Sequence, residues 1–177
     1  MSNRNVARWA LLAALVALCV AVRLLSDLPN FAPVAAAALF AATVTGRRTL
    51  GALVALSAML IGDAFVGAYS TPVMVAVYGA LAAPALLGPV LRRRSGAFPV
   101  VASAAGAGVL FFAVSNLAVW AFGGLYPMSA EGLGACYLAA LPFFKYTLAG
   151  NLFWSATFFG AYALTRATSL SLRPAGR

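Results

Sequence analysis

Residues 116–151 read NLAVWAFGGLYPMSAEGLGACYLAALPFFKYTLAGN, and the layout of the chain is decided there. An apolar helix runs into Trp120 and meets Gly123 and Gly124. A Gly-rich loop carrying Tyr126, Glu131, Cys136 and Tyr137 follows, and a second helix is expected to open at Pro142. Residues 130–140 read as a short helix in or near the membrane interface, too short to cross. Most of the residues with chemistry to offer lie in or beside this stretch. Elsewhere the chain is mainly Ala, Leu, Val and Gly, with arginines at intervals.

Of 177 residues, 64% are apolar and 8% charged, and the mean hydropathy is +0.97. A water-soluble domain of this size has too little interior for so much apolar surface, so the solvent of its outer face is lipid. Several runs approach or exceed the roughly 18–20 residues that cross a hydrocarbon core. The first apolar run lacks an A-x-A-like cleavage site and is followed by more spans, so it is expected to be retained. Histidine is absent, which removes the commonest proton shuttle and metal ligand. Cys19 and Cys136 fall at different expected depths, which argues against a disulfide between them.

Outward from the quoted stretch, the apolar runs are residues 9–25, 34–45, 50–66, 73–91, 99–122 and 142–165. The run at 34–45 is short and Ala-rich. Pro29 and Pro33 make a turn before it, and Pro84 and Pro89 interrupt the run at 73–91. With six spans, one side receives Arg4, Arg8, Arg47, Arg48, Arg92, Arg93, Arg94, Arg166, Arg173 and Arg177. The other receives Arg23 and Lys145 with all three acids, Asp27, Asp63 and Glu131. The positive-inside rule then puts both termini in the cytoplasm and the long loop outside. The expected organisation is a cytoplasmic lead (1–8), one six-helix transmembrane domain (9–165) and a polar, frayed cytoplasmic tail (166–177). The net charge of +9 is accounted for by arginines at helix ends, where they set topology and meet anionic lipid, and no nucleic-acid partner is expected.

Ionisable groups at membrane depth are costly unless paired or facing a cavity. Asp63, near the end of an apolar helix, is the sharpest case; the competing role is an interhelical salt bridge to Arg23 or Lys145. Asn116 and Asn151 are candidates for ligand contact or for hydrogen bonds between helices. Trp120, Tyr126, Tyr137 and Tyr146 fit either an interfacial aromatic belt or rings that stack a planar ligand. Their gathering with acids and cations on one side favours a pocket. The expected pocket residues are Asp63, Asn116, Trp120, Tyr126, Lys145 and Asn151. They would line an outward-opening cavity between the third, fifth and sixth spans, with residues 123–141 as a glycine-hinged lid between the last two. Cys136 is read as a small buried residue before a soft-metal ligand, and no metal or cofactor is expected.

There is no Walker A motif, no HExxH and no Ser-His-Asp pattern, so neither an enzyme nor a self-powered pump is expected. No inverted repeat of the secondary-transporter kind is evident either. Asn30-Phe31-Ala32-Pro33-Val34-Ala35-Ala36, Gly62-Asp63, Ser115-Asn116-Leu117-Ala118-Val119-Trp120, and Cys136-Tyr137 through Pro142-Phe143-Phe144-Lys145-Tyr146 to Asn151 resemble an uncharacterised bacterial membrane family. That family is described as S components of energy-coupling factor (ECF) transporters, and the likeness covers about residues 20–160. The resemblance implies a multi-pass protein of the bacterial inner membrane that captures a vitamin-like molecule from outside. It would dock on a transmembrane scaffold driven by ATPases. The docking face it implies is an Ala-x-x-x-Ala stripe on the first helix, matched by Ala10 and Ala14, or by Ala13, Ala17 and Ala21. A related subgroup resembles cobalamin importers with a cobalt-ligating cysteine in an outer loop, but residues 67–72 hold no cysteine here. The alternative function is a non-transporting structural or assembly subunit docked on a larger membrane complex.

Overall fold

The computed structural model describes residues 2–67, 69–94 and 96–171, apart from the side chains of Arg4 and residues 169–171. The elements are α1 (Asn3–Leu25), α2 (Val34–Thr45), α3 (Arg48–Val66), α4 (Thr71–Ala82), a 3-10 turn (Ala83–Leu87), α5 (Gly88–Arg93), α6 (Ala97–Phe122) and α7 (Ala130–Ser171). There is no strand among the described residues. Among the described residues, four helical stretches are long and apolar enough to cross a membrane: Asn5–Leu25, Arg48–Val66, Thr71–Arg93 and Ala97–Phe122. Their outward faces carry Leu60, Phe65, Val75, Phe98 and Leu117, all exposed, as lipid-facing helices require.

The bundle is built around α2. Every residue from Val34 to Thr43 is buried. Its VAAAALFAATVT sequence has no polar face to turn outward, and its alanines let neighbours approach closely. The neighbours are cut to match. A Cβ on Gly51 of α3 would lie 2.3 Å from the Ala38 carbonyl oxygen, and one on Gly88 would lie 2.4 Å from the Ala42 Cβ. At the far end Phe40 of α2 packs against Phe158, Phe159 and Tyr162 of α7. α2 also ends in the one conformation that favours glycine, with Gly46 at φ 70°.

Pro84 and Pro89 act as the sequence indicates. The span at 73–91 breaks into α4, the 3-10 turn and α5, because neither proline can donate to the helical ladder. Pro142 does not. No separate helix covers residues 130–140, and none opens at Pro142; α7 runs unbroken for 42 residues with Pro142 inside it. An interior proline costs about 3 kcal/mol and loses one backbone bond. The continuity comes from α6, which grips α7 on both sides of the proline. Before it, the Tyr137 hydroxyl donates to the Ala113 carbonyl at 2.6 Å and the Cys136 thiol to the Asn116 carbonyl at 3.4 Å. After it, Phe144 packs on Phe112 with ring centroids 4.7 Å apart.

Two further expectations need correction. The lid over residues 123–141 is not a loop, since only the stretch at 123–129 is non-helical and Gly132 and Gly134 lie within α7. The ends are more helical than expected: α1 begins at Asn3, inside the polar lead, and α7 continues to Ser171 instead of fraying after Thr165. Arg173 and Arg177 lie outside the described residues, as does the Arg4 side chain.

Candidate ligand cavity

A 12-residue helix is about 18 Å long, well short of the roughly 30 Å of a hydrocarbon core. At the acidic end the space above α2 is therefore not filled by helix. It is occupied by the connection at 26–33 and by a cavity of about 530 Å³, lined from α1, α3, α4, α6 and α7 as well. This volume lies within the range of small-molecule sites. The roof is anchored. Asn30 sits at φ 58°, a left-handed conformation that asparagine tolerates, between the two prolines. The Trp154 indole N–H donates to the Phe31 carbonyl at 2.8 Å, and the Phe31 ring packs on Phe153 and Trp154. Gly150 permits that approach, since a Cβ there would lie 3.1 Å from Phe31 Cα.

One wall is an ion pair. The Arg23 guanidinium of α1 donates to the Asp63 carboxylate of α3, and the Tyr78 hydroxyl of α4 donates to its other oxygen at 2.6 Å. Arg23 also reaches the Met59 sulfur at 3.0 Å. Gly62 explains how the arginine lies down: a Cβ there would be 2.8 Å from Arg23 Cδ. Asp63 is buried behind Arg23, whereas Arg23 and Met59 line the cavity, and the Arg23 Nε is buried with no hydrogen-bond partner among the described residues. The carboxylate thus clamps three helices and holds the cation at the wall. At the rim, burial raises the Tyr69 phenol above its ordinary pKa. The Asp63 carboxylate adds to this and Arg23 opposes it, so the hydroxyl stays protonated.

Asn151, buried, lines this cavity beside Thr147. Asn116 lines a smaller neighbouring cavity of about 190 Å³ that shares Asn30, Phe111 and Thr147 with the larger one. Its amide donates to the Phe112 carbonyl of its own helix at 2.7 Å rather than to Asn151. The remaining candidates do not converge there. The Trp120 indole donates to the Pro127 carbonyl at 2.9 Å and ties down the 123–129 loop, and Tyr126 is half-buried in that loop. Lys145 is exposed, 4.9 Å from the Tyr146 ring, and not paired with Asp63. The cavity therefore lies under residues 26–32, not under the 123–141 segment.

Sequence reasoning missed Phe31, Phe111 and Thr147 as cavity residues and Tyr78 as a partner of Asp63, and undervalued Arg23 and Asn30. The available signal was Asn-Phe held between two prolines, a turn too constrained for a mere connector. The alanines Ala10, Ala13, Ala14, Ala17 and Ala21 all lie on the exposed side of α1, opposite the buried Leu12, Leu15 and Cys19. Cys19 and Cys136 are both free and buried. No group of three His, Cys, Asp or Glu residues suited to a metal occurs among the described residues.

No curated protein and no solved structure matches the chain. One family does, over residues 3–172, and so nearly the whole bundle falls within it. The chain belongs to a family of unknown function, DUF6580.

Proposed function

We propose that the protein is the substrate-binding membrane subunit of an ECF-type uptake system, taking a small organic nutrient from the outer side. The observation that carries this reading is the cavity of about 530 Å³ at the acidic end. Its apolar and aromatic walls, with Phe31, Phe111 and Tyr69, suit the body of an organic molecule. Asn30, Thr147, Asn151 and Arg23 offer the few polar contacts that fix orientation. The α2 N-terminus at the cavity floor has no side-chain cap, so its first-turn N–H groups add donors.

Six passes, with α2 as the short one and α7 as the last, put Arg47, Arg92, Arg93 and Arg166 on the cytoplasmic side and the cavity outside. The exposed alanine face of α1 is the docking surface for a transmembrane scaffold, because small side chains let two helix backbones approach closely. The test is mass spectrometry of small molecules released by denaturing the purified chain, alongside an Asn151→Phe variant that fills the cavity. Wild type is expected to release one compound in near-stoichiometric amount and the variant none. Equal release from both would sink the reading and favour a structural subunit docked through α1.

A further inference from the structure

At the opposite end of the bundle a second cavity of about 1170 Å³ runs between the ends of α2 and α5, the start of α6 and the second half of α7. It is larger than most small-molecule sites. Its lining is divided. Arg92, Arg94 and Arg166 occupy the mouth, while Val100, Ala104, Leu152 and Phe159 form an apolar floor. None of the three acidic side chains of the chain is at this end, as Asp27, Asp63 and Glu131 follow α1, end α3 and begin α7. Arg92 is held in place by donating to the Val44 carbonyl at 3.4 Å. Within the cleft Ser155 is 2% exposed, and its hydroxyl has no hydrogen-bond partner among the described residues. A buried hydroxyl left unbonded is costly, and a polar ligand atom beside it removes that cost.

We propose that this cleft is a binding site for an anionic glycerophospholipid. Arg92 and Arg94 take the phosphate, as guanidinium forks do, and Ser155 donates to an ester oxygen below it. The apolar floor receives the upper part of an acyl chain. A free phosphate would satisfy the arginines but leave that floor empty, so the lipid is the occupant that accounts for both halves. The proposal rests on the cleft alone and is independent of what fills the cavity at the acidic end.

The experiment uses the full chain, delipidated in a neutral detergent, titrated with short-chain phosphatidylglycerol, with phosphatidylcholine of the same chains, with glycerol 3-phosphate and with inorganic phosphate. Native mass spectrometry reads occupancy. Phosphatidylglycerol is expected to bind one per chain, with phosphatidylcholine and the two chainless phosphates showing little occupancy at the same concentration. Arg92→Gln with Arg94→Gln should weaken phosphatidylglycerol by about thirty-fold, the scale of two interfacial charges. Ala156→Phe, which narrows the cleft and keeps every arginine, should weaken it too. Equal binding of phosphatidylcholine, or competition by inorganic phosphate as strong as by the lipid, would overturn the proposal. So would unchanged binding in both variants. The wild-type comparison decides the matter even if a variant does not fold.

Discussion

Asp63 shows how one residue type answers two questions at once. A carboxylate at membrane depth is tolerated only when bonded, and here Arg23 and Tyr78 supply those bonds from two other helices. Removing one partner of a buried pair is far costlier than removing both, because the survivor stays charged and unsatisfied. Asp63→Asn is therefore expected to destabilise the protein by about 3–5 kcal/mol. Tyr78→Phe should cost about 1.5–3 kcal/mol, the value of a hydrogen bond to a charged group. The double change Arg23→Met with Asp63→Leu should recover most of the loss. Cys19 and Cys136, both buried and free, allow each variant to be followed by thiol-reactive dye during thermal unfolding in detergent. A full-strength melt for Asp63→Asn would show that the clamp is dispensable.

At the scale of elements, the contrast lies between glycines facing inward and alanines facing outward. Gly51 meets the α2 backbone, so Gly51→Ala is expected to lower the unfolding midpoint sharply, by overpacking of about 1–3 kcal/mol or more. Ala17→Leu, on the exposed side of α1, should leave the melt unchanged and impair only association with a partner. A destabilised Ala17→Leu protein would mean that this face packs internally. The same contrast marks what sequence could tell. The helix-breaking effect of Pro84 and Pro89 was legible because nothing opposes it. Pro142 was not, because contacts from α6 on both sides of it depend on residues such as Ala113 and Phe112, more than twenty positions away. The centrality of α2 was equally hidden, since a 12-residue alanine-rich run looks like a weak span rather than a core.

For the whole molecule, the short α2 links the fold to the candidate site: because it does not reach the acidic face, the bundle leaves a chamber there. The alanine-rich composition and the separation of acids from most arginines were readable as a membrane bundle with two unlike ends. A cavity was expected beneath residues 123–141, whereas the chamber lies beneath 26–32, because Trp120 and Tyr126 belong to the 123–129 loop and Lys145 is exposed while the plainer Asn30, Phe31 and Thr147 line the interior. The central claim is that this chamber opens to the outer solution. It is tested by placing a single cysteine at Thr147, with Cys19 and Cys136 replaced by serine, and treating intact cells with a small membrane-impermeant thiol reagent. Modification of Thr147→Cys from outside, with Ala163→Cys at the exposed side of the opposite cleft left untouched, is the result required. Modification of Thr147→Cys only in inverted vesicles would contradict the account.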